Sequence, residues 1–253
     1  MRILRSASAL TLTLLLACTT EAMSANGLNL SWDGCGAAGT ANKNFACSYN
    51  YWSEYLVISA AFPAGLPVGN SPNFTANLAF VPGSGSLPSW WSVSGTGACR
   101  PNAILPRGYE PPGGLGACTA GYIGDGGNVS LAWSSDPLVS GRRNLVVSNP
   151  PAIGAGGTLE TPGPERHLFT LEISHAKSTG AGLCNGCSTP VCIVLNSLTV
   201  TGVDAPYTPL VYITNPLQRN FVTWQGGTSG MAICPAATPA RNSTWGSLKS
   251  LYH

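Results

Sequence analysis

The cysteines constrain this chain more than any other feature. Nine occur in 253 residues, and the first, Cys18, lies inside an N-terminal export segment. Arg2 and Arg5 give a positive start, Ala9 to Ala17 is an apolar run containing five leucines, and small residues follow at Ala22, Ser24 and Ala25. The run is shorter than the roughly 20 residues needed to span a bilayer. Residues 1–25 therefore read as a signal peptide. Cleavage near Ser24 or Ala25 would release a free, secreted protein. Leu15-Leu16-Ala17-Cys18 also has the form of a bacterial lipobox, which would leave a lipid on Cys18 and tie the protein to a membrane. Ordinary cleavage is preferred, because the first strand begins at Leu28 and leaves almost no spacer after Cys18.

Eight cysteines then remain: Cys35, Cys47, Cys99, Cys118, Cys184, Cys187, Cys192 and Cys234. An even number in an exported chain implies a disulfide framework. Closeness in sequence suggests Cys35 with Cys47, flanking a polar loop, and Cys99 with Cys118, flanking a Pro/Gly-rich one. For the last four, Cys184–Cys187 with Cys192–Cys234 is preferred. Cys184–Cys192 with Cys187–Cys234 is a close alternative, and sequence alone does not decide between them.

Between the cysteines the chain alternates with the period of strands. Leu28, Leu30 and Trp32 alternate with polar residues, as do Phe74, Ala76, Leu78 and Phe80. Further strands read at Tyr55–Phe62, Val129–Trp133, Asn144–Ser148, Leu210–Ile213 and Phe221–Trp224. The best pair flanks the densest cysteine loop: Phe169, Leu171, Ile173 and His175 alternate before it, and Ile193 to Val200 is β-branched and apolar after it. The stretch from Gly97 to Gly116 reads as irregular. Short strands separated by turn residues, with few helix formers, predict an all-β fold: a disulfide-stabilised β-sandwich or jelly roll with long loops. No composition shift marks a boundary, so residues 26–241 read as one domain. Residues 242–253 read as a short C-terminal helix, with Ser243 or Thr244 as cap and Trp245, Leu248 and Tyr252 on one face.

Charge is scarce: 12 Lys and Arg against 10 Asp and Glu, with Arg2, Arg5 and Glu21 in the export segment. No basic cluster exists to read nucleic acid. Candidate chemistry is thin. Cys184-Asn-Gly-Cys187 has redox-motif spacing but lies between strands and not at a helix N-terminus. A zinc site from Cys184, Cys187, Cys192 and Cys234 would compete with their oxidation. His167 and His175 sit eight residues apart on one strand, about 26 Å at ~3.3 Å per residue, too far to act together. No Gly-x-Ser-x-Gly elbow is present. Glu172 is the one carboxylate placed on the outer face of a strand, and Asp125-Gly-Gly-Asn128 is a sparse calcium loop. No catalytic residue, cofactor site or metal site is assigned. Exposed aromatics are the better clue: Trp52, Trp90 and Trp91, with Tyr49, Tyr51 and Tyr55, could form a platform for a ligand such as a sugar ring.

The runs Gly156-Gly-Thr-Leu159, Phe169–Ile173 and Ile193–Val200 resemble the later strands of cohesin-type modules over about 45 residues. The resemblance implies a jelly-roll sandwich of the bacterial exterior that binds a partner domain; the cysteine loop from Cys184 to Cys192 is a departure from it. The tail Thr244-Trp-Gly-x-x-Lys249-x-x-Tyr252 also resembles the ends of exported bacterial proteins, which implies location and no activity. The expected function is a non-enzymatic, extracellular protein- or surface-binding module. A carbohydrate-binding module is the alternative and a secreted hydrolase the third reading. The partner would be another extracellular protein or a glycan.

Overall fold

The computed structural model describes residues 27–36, 38–62, 73–83, 85–107, 114, 118, 129–138, 140–149, 164–201, 210–226 and 234. Residues 1–25, read as a signal peptide from the sequence, Asp125 to Asn128 and the 242–253 tail lie outside the described residues.

The described chain is almost wholly β and forms two sheets. The first runs β1 (Gly27–Trp32), β3 (Ser53–Ala61), β8 (Arg166–Ser174), β5 (Ile104–Arg107). The second runs β2 (Asn42–Lys43), β11 (Phe221–Trp224), β9 (Val191–Thr201), β4 (Asn73–Pro82), β7 (Arg143–Asn149), β6 (Ser130–Ser135), with β10 (Leu210–Ile213) also paired to β9. All pairings are antiparallel except β2 with β11. The inward residues of both sheets merge into one core reaching from Leu28 to Trp224. This is the disulfide-stabilised β-sandwich that the alternation implies.

Two bulges keep the apolar residues facing inward. In β9 the register with β4 shifts between Asn77 and Leu78, so Asn196 is left out of the pairing. Ile193 and Leu195 point into the core before the bulge, Leu198 and Val200 after it. Without the extra residue, strict alternation would turn Ser197 and Thr199 inward. A second shift lies in β3–β8 between Ile58 and Ser59.

Several strands are buried on both faces, which is unusual for an antiparallel sandwich. A disulfide on each outer surface contributes to this, beside the covering of Asn29 by residues 218–219 and of Ser59 by Glu165. Cys192–Cys234 caps a small cluster of Ala79, Val81 and Val194, and Cys35–Cys118 caps Val57.

The disulfide map corrects the pairing by closeness. The bonds are Cys35–Cys118, Cys47–Cys187, Cys99–Cys184 and Cys192–Cys234, with Cα separations of 5.6, 6.0, 5.9 and 5.9 Å. Only Cys192–Cys234 was the preferred partner. Cys35–Cys47, Cys99–Cys118, Cys184–Cys187 and both alternative bonds are absent. The reason is topological: the loop Ala176–Pro190 folds back over one end of the sandwich, where it meets the segments holding Cys47 and Cys99.

Two further expectations change. Ile104–Arg107, inside the stretch read as irregular, is an edge strand; Pro106 is tolerated there because an edge strand has one unpaired side. Trp90 and Trp91 are not a surface pair. They lie in a 3-10 turn, Ser89–Trp91, whose tight winding sends both rings inward, at 0% and 2% exposure.

Candidate functional site

The segment from Asn42 to Trp52 is a strap across the end of the sandwich. Lys43, Phe45, Cys47 and Tyr49 turn inward, and Asn42, Asn44, Ala46, Ser48 and Asn50 turn out. β2 begins it by pairing with β11, where the Thr223 N–H donates to Ala41 O at 2.8 Å and the Gln225 N–H to Lys43 O at 2.7 Å. The Gln225 side chain continues the pairing, accepting from the Phe45 N–H at 3.3 Å and donating to Phe45 O at 2.9 Å. Cys47 is bonded to Cys187. Asn50 closes the strap, exchanging two 3.0 Å hydrogen bonds with the backbone of Thr179.

Beneath the strap lies a mixed aromatic and ionic cluster. The Phe45 ring stacks on His175 at 3.8 Å between centroids and meets Trp224 edge-on at 4.7 Å. Trp224 packs at 4.8 Å on Trp90 and donates from Nε1 to Cys187 O at 2.9 Å. His175 Nε2 lies 2.9 Å from Glu54 Oε1, and Lys43 Nζ bridges Glu54 at 2.6 Å and Asp33 at 2.5 Å. Burial alone would raise the Glu54 carboxyl, but the hydrogen bonds from His175 and Lys43 and the Lys43 charge outweigh it and hold it below the usual carboxylate range. Burial would lower the Lys43 ammonium; its two carboxylate partners raise it instead. His175 is fully buried and Glu54 nearly so, and with Lys43 they tie the strap to β3.

Above the cluster the chain presents a ledge. Tyr49 stacks on Tyr51 at 4.9 Å and 28°, and Tyr51 meets Trp52 at 6.2 Å and 51°. Tyr51 and Trp52 are 66% and 71% exposed. Trp52 has a φ of 79°, a left-handed conformation that is a true outlier for a bulky residue. It is pinned there because its carbonyl accepts the His175 N–H at 3.0 Å and β3 starts at the next residue. Strain of this kind persists only where the surroundings enforce it, and it clusters at functional sites.

Of the three tryptophans expected to form a platform, only Trp52 is at the surface. Trp90 and Trp91 are core, so a platform built on them is ruled out by burial. Lys43, Phe45 and His175, which position the ledge, were not singled out together by sequence. The inward alternation of Lys43, Phe45, Cys47 and Tyr49 was the available signal.

The remaining candidates are occupied otherwise. Cys184 and Cys187 are bonded to Cys99 and Cys47 and not to each other, so the motif is a pair of anchor points. All four cysteines considered for zinc are in disulfides. Cys35, Cys118 and Glu165 approach one another, but the two sulfurs share a disulfide and offer no thiolate. Glu172 is held by Arg107, at 2.5 and 2.6 Å, and by the Ser53 hydroxyl at 2.7 Å. A polar cleft of about 480 Å³ opens between Ser86 and the β6–β7 hairpin, and its Arg142 is turned toward Asp136 at 3.4 Å.

His167 and His175 occupy opposite ends of β8. His167 bonds the Thr170 hydroxyl at 2.8 Å and is buried, which lowers its pKa to about 4. The unfolded chain therefore binds a proton that the folded chain refuses, and stability falls as pH drops from about 6.5 to 4. The full effect is about 3 kcal/mol, since one pKa unit is about 1.4 kcal/mol. Urea midpoints measured across this range should fall for the native chain and stay nearly flat for His167→Gln down to about pH 5. The contribution of Glu54, whose pKa is lowered in the fold, is lost only below its unfolded value near 4.5.

No protein-family model, curated protein or solved structure matches the chain.

Proposed function

We propose that the protein is an exported, non-enzymatic binding module that recognises a partner on the cell exterior through the Tyr51–Trp52 ledge. The observation that carries this reading is Trp52: a large, exposed ring held in a strained backbone conformation by a buried network. Export agrees with the four disulfides, which belong to an oxidising compartment. The N-terminal segment supplies the route, with release after Ser24 or Ala25 and lipid anchoring at Cys18 as its rival. The likeness of β8 and β9 to strands of cohesin-type modules, which bind partner domains, points the same way.

Trp52→Gly is the informative variant. Glycine adopts positive φ without steric cost, so removing the ring should leave the melting temperature unchanged or raise stability by up to about 1 kcal/mol. The same change should abolish retention of the purified protein on intact cells or extracellular material of the producing organism. Equal retention of the native chain and the variant would refute the ledge as the recognition surface.

A further inference from the structure

We propose that the ledge is a subsite for one uncharged pyranose ring of an extracellular glycan, stacked on Trp52 and flanked by Tyr51. This rests on the reading of the ledge as the recognition surface and adds the chemical class of what it binds.

Three observations select that class. The first is shape. Tyr51 and Trp52 are inclined at 51° with centroids 6.2 Å apart, so the two exposed rings touch at an angle and do not form one flat strip for a long polymer face. A pyranose presents a face of axial C–H groups that packs on an indole, and the second ring closes against its edge. The second is charge. Asp33, Lys43 and Glu54 are paired with one another, and the exposed Lys177 ammonium, hydrogen-bonded to Cys99 O at 2.7 Å, keeps its charge. These groups form no cluster of one sign that would select an anion or a cation. Tyr51 is 66% exposed, and its hydroxyl can meet a sugar hydroxyl.

The third is size. Two partly exposed rings offer roughly 300 Å² of apolar surface, and the outward neighbours Ser48 and Asn50 are polar. A specific protein interface needs about 800 Å² from each partner. A single sugar ring is covered by what the ledge provides. The rigidity of the strap, tied by Cys47–Cys187, Gln225 and Asn50, removes the ordering cost that weak sugar binding tolerates least.

The test uses the oxidised mature chain on an array of neutral and acidic glycans, followed by calorimetric titration with the oligosaccharide of the strongest signal. Native protein should bind neutral glycans, with affinity unchanged by added salt. Trp52→Gly should weaken binding about tenfold or more, on the scale of a lost aromatic contact, and Tyr51→Ala by a smaller factor. Leu138→Ala, which removes an exposed leucine from the β6–β7 hairpin, should change nothing. The melting temperature of each variant certifies its fold. Silence on the array overturns the sugar assignment. If an identified extracellular protein then binds in a Trp52-dependent way, the ledge stands as the recognition surface without the sugar. Glycan binding that Trp52→Gly leaves intact overturns the ledge itself, and binding confined to acidic glycans and erased by salt overturns the neutral class.

Discussion

Replacing Cys47 and Cys187 together with alanine should cost the protein about 3–5 kcal/mol and lower its melting temperature by about 10 °C or more. The bond joins residues 140 apart, the longest span of the four. Loop-closure entropy grows with the logarithm of that span, so this bond restricts the unfolded chain about 1 kcal/mol more than Cys192–Cys234, which spans 42. The loss is local as well. Without the bond the strap keeps its β2–β11 pairing, the Phe45 stack, Gln225, Asn50 and the Lys43 bridges, and the ledge loses the one covalent part of its support. Thermal unfolding of the double variant, alongside peptide mapping of the native chain without reduction, checks both the magnitude and the pairing. A melting temperature within about 2 °C of native would show that the strap does not depend on this bond.

Arg100→Met should be nearly as severe, at about 3–5 kcal/mol. Arg100 is 2% exposed and its guanidinium lies 3.3 Å above the Trp90 ring. Nε donates to Ala176 O at 2.8 Å, one terminal nitrogen to Trp90 O at 2.7 Å and the other to Ser174 O. The fork thus satisfies three carbonyls where β8 ends and the cysteine loop starts. Burial without a carboxylate lowers its pKa to about 9, so it stays charged at neutral pH. Methionine comes close in volume but removes the donors to one buried carbonyl, Trp90 O, and two part-buried ones, Ser174 O and Ala176 O. Arg100→Lys should recover little, because an ammonium on a single stem cannot span the three positions or stack on the indole. Urea unfolding of both variants, followed through tryptophan fluorescence, measures the difference. A lysine variant as stable as the native chain would mean that charge matters here and not the planar fork.

The longer strands were legible because each has to present alternate apolar residues to a shared core, whereas the short edge strands β2 and β5 carry no such pattern. Phe169, Leu171 and Ile173 announced β8, and the observed ends differ from the pattern by a residue or two. The bulge at Asn196 was not read, because Val191 to Leu195 is apolar on both faces and hides which face leads into Leu198 and Val200 until β9 is laid against β4. Trp90 and Trp91 misled because their burial depends on a 3-10 turn, where neighbours are not on opposite faces. Disulfide partners were misjudged for a related reason. Cys99 and Cys184 meet because Arg100 and the Ala176–Pro190 loop are packed together, and no local spacing encodes that. Trp52 was legible as an aromatic and not as a strained one, since its backbone angle is imposed by His175, more than a hundred residues away.

The bonding of Cys184 and Cys187 to distant segments bears on how the chain matures. Neighbouring thiols collide most often in an unfolded polypeptide, so an oxidant acting early joins these two to each other first. None of the native bonds is of that kind. Each early link must be attacked by a thiolate and exchanged before the strap can settle. A cell that only oxidises would accumulate trapped isomers of this protein, whereas one that also reshuffles disulfides would deliver it with its ledge assembled.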